Sequence, residues 1–133
     1  YEISEGDARK AIMILQNTKY IYKLNMKVNV NNIIEMIGLS SDDELNMIWD
    51  LIKKSSMSNL TKIATNIHNC GINLNQFITF VKDKIIETKL SDQNKALMIM
   101  KIADTEARII ERGDEYINVL NILCQIHFNL NKL

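Results

Sequence analysis

Gly6-Asp7-Ala8-Arg9-Lys10-Ala11 runs directly into Ile12-Met13-Ile14-Leu15-Gln16. Asp7 is a residue type that accepts hydrogen bonds from the free N–H groups of a helix start. Gly6 just before it suits the left-handed residue that ends a preceding helix. Ala8, Ala11, Ile12, Leu15 and then Ile21-Tyr22 recur at helical spacing. The stretch therefore predicts a helix capped by Asp7 and running to about Leu24, with Tyr1–Glu5 as the tail of an earlier helix.

The same grammar repeats along the chain. Gly38, Gly71 and Gly113 also stand where an apolar periodic stretch stops, so all four glycines are expected at helix C-termini in the left-handed region. Asn25–Val30 is a connector in which Val28 and Val30 are compatible with a short extended run. Asn29 or Asn31 caps a short helix ending at Met36-Ile37-Gly38. Ser40-Ser41-Asp42-Asp43-Glu44 is the clearest boundary, where Ser41 and Glu44 have the spacing of a capping box. Beyond it the periodicity predicts five helices. They cover about 42–54 (Leu45, Ile48, Trp49 and Ile52 inward), 57–70 (Leu60, Ile63, Ala64, Ile67) and 74–89 (Phe77, Ile78, Val81, Ile85). The last two cover 92–112 (Ala96, Ile99, Met100, Ala103, Ala107, Ile110) and 114–130 (Ile117, Leu120, Leu123, Cys124, Phe128). Asn73 and Ser91 cap the third and fourth. Short connections make neighbours roughly antiparallel.

Composition agrees with an all-α fold. The 133 residues are 47% hydrophobic, which suffices for a core, and only 6% aromatic, so the apolar mass is aliphatic. Proline is absent. Net charge is zero. Residues 1–41 carry five Lys/Arg against four Asp/Glu, and the remainder eleven against twelve. Neither part has the basic excess of a stand-alone DNA binder. No apolar run approaches the length of a membrane span. There is no signal peptide and no initiating Met, so the chain reads as a piece of something larger.

Arg9 is the candidate functional residue. It puts a permanent cation into a helix's first turn, where the macrodipole is already positive. Local rules are broken mostly for function. Arginine presents a planar fork of donors matched to phosphate oxygens, and helix N-termini favour anions. A surface arginine paired with Glu5 or Asp7 accounts for the same residue equally well on spacing alone.

Other residues carry less chemistry. Cys70 and Cys124 lack metal-ligand spacing and are expected as two buried thiols. His68 and His127 stand far apart with no Cys/His cluster, as helix-surface or half-buried histidines. Asp42-Asp43-Glu44 complements a helix dipole rather than holding a metal. Asp104 and Glu106, two apart, cannot share a helix face for paired acid–base work. Arg108 and Glu111 read as an ion pair, within the surface or between subunits. Met57, Met98 and Met100 read as core filler, and Trp49 as a core or interface anchor. No catalytic residue and no metal site emerges.

The opening stretch resembles the sensor 2 motif in the small subunits of replication factor C, the sliding-clamp loader. That motif is Gly-Asp-x-Arg-Lys/Arg-Ala followed by Leu-Gln, here Gly6-Asp7-Ala8-Arg9-Lys10-Ala11 and Leu15-Gln16. A second match follows downstream. Lys101-Ile102-Ala103-Asp104-Thr105-Glu106-Ala107-Arg108-Ile109 with Gly113 is similar to the family's Ala-Asp/Glu-x-Glu-x-Arg-Ile segment. Met13, where the family often has Asn, and Arg112-Gly113-Asp114-Glu115 depart modestly from it.

The resemblance implies an all-α chain in which residues 1–39 are the end of an AAA+ helical lid and 40–133 a five-helix collar that assembles subunits into a ring. Arg9 would reach the γ-phosphate of ATP held, with Mg, mainly by a preceding AAA+ domain. It implies other replication factor C subunits as collar partners, with the sliding clamp and primer-template DNA contacted through upstream domains. It also implies a nuclear setting in replication and repair, and a full-length ATPase whose phosphate loop, metal-binding acids and trans-acting arginine have no counterpart here. A helical interaction module with no nucleotide role is the alternative, the Gly-Asp-Ala-Arg stretch then being a chance cap.

Overall fold

The computed structural model describes residues 4, 6–24 and 28–131. Every regular element among them is helical. The chain divides into two compact units, Tyr1–Ser41 and Asp42–Leu133.

In the first unit, α1 spans Ala8–Lys23 and α2 spans Val30–Ile37. Asp7 is the α1 cap: its carboxylate accepts from the backbone N–H groups of Arg9 at 2.8 Å and Lys10 at 3.4 Å. Asn29, not Asn31, caps α2 by accepting from Asn32 N–H at 2.8 Å. Val30 is already helical, so the expected extended run is absent there. Residues 1–3, 5 and 25–27 lie outside the described set, and with them the expected helix tail and most of the connector. The apolar face expected on α1 is mostly exposed: Ile12, Leu15 and Tyr22 face solvent, and Ile21 alone on this helix is buried. Ile12, Leu15, Tyr22 and Val28 line a shallow apolar groove.

In the second unit α3 spans Asp42–Lys54, a 3₁₀ turn Met57–Asn59, α4 Leu60–Asn69, α5 Leu74–Glu87, α6 Asp92–Ile110 and α7 Glu115–Leu130. Helix α7 packs on α3, α4 and α6, and α5 packs on α3 and α6. The expected inner residues of α4 and α5 are all buried, as are Leu45, Trp49 and Ile52 of α3. Asn73 and Ser91 cap α5 and α6 as expected. The 3₁₀ turn replaces the first turn of the helix expected over 57–70. Ser and Asn side chains compete with helical hydrogen bonding there, and the Ser56 and Ser58 hydroxyls lie 2.9 Å apart.

Two faces are corrected by the structure. On α6 the buried residues are Met98, Ile102 and Thr105, whereas Ala96, Met100, Ala103, Ala107 and Ile110 are exposed and Ile99 is half-buried. On α7 the core takes Asn118, Val119, Ile122, Leu123 and Ile126. Leu120 and Cys124 are half-buried, and Ile117 and Phe128 are exposed. Both helices are apolar on more than one side, so periodicity alone cannot select the inner stripe.

The left-handed conformation expected of the glycines holds at three positions and fails at the fourth, and the helix that Gly6 is expected to end lies outside the described residues. Gly6, Gly38 and Gly71 have positive φ, but at the end of α6 it is Arg112 that takes the left-handed conformation, with φ 68°. Gly113 N–H donates to the Arg108 carbonyl at 2.7 Å and Arg112 N–H to the Ile109 carbonyl at 3.1 Å, the paired bonds of a Schellman ending. Gly113 is needed for space instead. A Cβ there would lie 2.7 Å from the Arg108 carbonyl oxygen and 2.8 Å from Asn118 Nδ2. Gly113→Ala is therefore expected to destabilise the bundle by about 1–3 kcal/mol through overpacking, measurable by urea denaturation. A variant as stable as the parent would contradict this.

Candidate functional site

Arg9 occupies the second position of α1, directly after the cap and Ala8. Its backbone N–H is held by Asp7 and its side chain is exposed. No acidic residue lies in the first turn of α1. Asp7 spends its carboxylate on the cap, and among the described residues it forms no ion pair with the Arg9 guanidinium. Glu5, the other candidate counter-ion, lies outside the described residues. Arg9, Lys10 and the helix start thus present positive charge on one short segment, a local environment that favours an anion.

The second motif builds the bundle. Ile102 and Thr105 are buried. The Thr105 hydroxyl donates to the Lys101 carbonyl at 2.9 Å and accepts from Asn121 Nδ2 at 3.3 Å, which joins α6 to α7. Glu106 forms an ion pair with Lys82 of α5. The Lys82 and Glu106 side chains are 28% and 29% exposed, so the pair contributes of the order of 1 kcal/mol or less. Asp104 points outward, away from Glu106, as two-residue spacing requires. Arg108 and Glu111 form no ion pair among the described residues, which removes the intramolecular version of that reading. Lys82, Asn121 and the buried Asn118 were missed, because a single sequence carries no signal for contacts between helices that far apart in the chain.

The remaining candidates are structural. His68 is exposed and meets the Tyr116 ring edge-on, with centroids 6.5 Å apart. His127 is half-buried, its Nδ1 3.5 Å from the Ile52 carbonyl and 2.9 Å from Asn131 Nδ2. Cys70 is exposed and Cys124 half-buried, both free thiols, which corrects the expectation of two buried ones. Met98 is core, but Met57 and Met100 are exposed. Trp49 is buried, with Lys53 Nζ 5.3 Å over its ring. Asp42, Asp43 and Glu44 fill the first turn of α3. Among the described residues no group of His, Cys, Asp and Glu is arranged to hold a metal ion. Within the same residues no helix is long and apolar enough to cross a membrane.

Known proteins share this pattern of sequence. Residues 40–125 match the replication factor C C-terminal domain. Replication factor C subunit 4 of Homo sapiens is 21% identical over 131 residues, covering 98% of this chain and 36% of the human protein. Its Arabidopsis thaliana counterpart of the same name is 25% identical over 122 residues (90% and 35%). The replication factor C small subunit of Sulfurisphaera tokodaii is 28% identical over 129 residues (95% and 38%). The chain therefore spans a little over a third of the length of these relatives. With the matched segment covering nearly all of the helical bundle from α3 to α7, the chain belongs to the replication factor C C-terminal domain family.

Proposed function

We propose that this chain is the C-terminal part of a sliding-clamp loader subunit, in which the second unit is the collar that joins subunits and the first is the end of an AAA+ lid. The observation that carries the proposal is the family match over residues 40–125, preceded by a capped helix whose second residue is the arginine of the Gly-Asp-x-Arg pattern. In this reading Arg9 reaches the γ-phosphate of ATP. The rest of the full-length protein binds the nucleotide and Mg, contacts the sliding clamp and primer-template DNA, and supplies the residues that activate water. This segment contributes sensing and assembly, and no catalytic group of its own. The setting is the nucleus, during replication and repair.

Removing residues 42–133 from the full-length polypeptide is expected to abolish co-purification with other loader subunits while ATP still binds. Undiminished co-purification would overturn the collar role. A full-length polypeptide with no ATP binding at all would overturn the lid role.

A further inference from the structure

The corner between α3 and α4 reads Lys53-Lys54-Ser55-Ser56-Met57. Lys53 and Lys54 close α3, and Met57 opens the 3₁₀ turn. Ser55 and Ser56 lie outside both elements, and Lys53, Lys54, Ser56 and Met57 are all exposed. The Ser56 backbone is extended, with φ −81° and ψ 160°.

Ser56 differs from the other hydroxyl residues of this unit. Ser55, Thr65, Thr79 and Thr88 each donate to a backbone carbonyl of the preceding turn. The Ser91 hydroxyl accepts from Asn94 N–H in the α6 cap, and Thr105 is buried. The Ser56 hydroxyl instead faces the exposed Ser58 hydroxyl, 2.9 Å away.

The surroundings are poor in carboxylates. No Asp or Glu occurs between Asp50 and Asp83. The last turn of α7 reaches the corner through His127, whose Nδ1 is 3.5 Å from the Ile52 carbonyl, and α7 carries no acid after Glu115. Asp50 lies 4.0 Å from Lys53 Nζ, between side chains 61% and 45% exposed. An exposed pair of this kind is weak, so Lys53 is open to exchange for a stronger acidic partner.

We propose that Ser56 is a phosphorylation site for a protein kinase whose acidic cleft reads lysines three and two residues before the acceptor and an apolar residue just after it. Lys53 and Lys54 fill the first two positions and Met57 the third. Pairing of the lysines with the cleft steers and selects the encounter. Entry to the cleft opens the last turn of α3, where Ser55 N–H donates to the Leu51 carbonyl at 2.9 Å. Helix ends fray, and such openings are among the least costly in a fold. In the reaction Ser56 Oγ bonds to the γ-phosphorus of ATP as the bond to the bridging oxygen breaks. ADP leaves with that electron pair, and the hydroxyl proton passes to the kinase's base. The product carries about −1.5 to −2 charge at pH 7, which offsets Lys53 and Lys54 and turns a cationic corner neutral. The site is independent of the roles proposed above for Arg9 and the collar.

The test uses the full-length polypeptide, the catalytic subunit of cyclic-AMP-dependent protein kinase and ATP labelled at its γ-phosphate, read by peptide mass spectrometry and label uptake. The unaltered chain is expected to be labelled on Ser56. Ser56→Ala should remove that label, and Ser58→Ala should retain it. Lys53→Ala combined with Lys54→Ala should slow labelling at least about tenfold, as loss of charge-assisted contacts implies. Circular dichroism checks that the variants keep their helicity. An unlabelled Ser56, label on Ser58 in its place, or a rate indifferent to the two lysines would overturn the site.

Discussion

Phe77→Ala is expected to destabilise the second unit by about 3–5 kcal/mol, the range for emptying a fully buried aromatic site. Phe77 lies on α5, is 0% exposed, and is among the largest fully buried side chains of the core. A domain of this size is stable by only about 5–15 kcal/mol, so the loss is a large fraction of the total. At roughly 4–8 °C per kcal/mol, the thermal midpoint should fall by at least about 12 °C. Two methionines on α6 provide an internal control. Met98 is 1% exposed and Met100 is 65% exposed. Met98→Ala should cost about 2–5 kcal/mol, and Met100→Ala should stay within about 0.5 kcal/mol. Denaturant midpoints at low protein concentration read both. Equal costs at the two positions would contradict the orientation of α6.

That control bears on what a lone sequence can reveal. On α4 a single apolar stripe faces polar residues, and on α5 only Phe80 and Ile86 lie off it, so Leu60, Ile63, Ala64 and Ile67, like Phe77, Ile78, Val81 and Ile85, could be named as core from spacing alone. On α6 two stripes compete. Alanine and methionine on one side look as apolar as Met98, Ile102 and Ile109 on the other. Contact with α5 and α7 settles the choice, and that information is tertiary. Gly113 shows a different limit. A glycine at a helix end signals a special requirement, but not which one, and here it is room for the Arg108 carbonyl and the Asn118 side chain rather than a positive φ. Caps were the most legible feature, because Asp7, Asn73 and Ser91 act on neighbours within three residues. Arg9 was legible as a cation in the first turn of a capped helix. Local geometry names no ligand for it, and only the resemblance to the family's Gly-Asp-x-Arg motif points to one.

The second large effect concerns that ligand. On the proposed function, Arg9→Ala in the full-length protein is expected to weaken ATP-dependent clamp loading while subunit assembly persists. A hydrogen bond to a charged group contributes about 1.5–3 kcal/mol, so the proposed contact with a terminal phosphate corresponds to roughly 10–150-fold in affinity. Arg9 is exposed and its backbone N–H, rather than its side chain, takes part in the cap. The substitution should therefore leave α1 folded. Arg9→Lys retains the charge but loses the planar fork, and should recover only part of the effect.

The most direct measurement is the affinity of the full-length protein for ATP and for ADP, taken on the unaltered protein and on its Arg9→Ala variant. The expected result is ATP binding weakened by at least about tenfold with ADP binding unchanged, because only ATP carries the phosphoryl group that the guanidinium is proposed to contact. Unchanged affinity for both nucleotides would contradict a sensing role for Arg9.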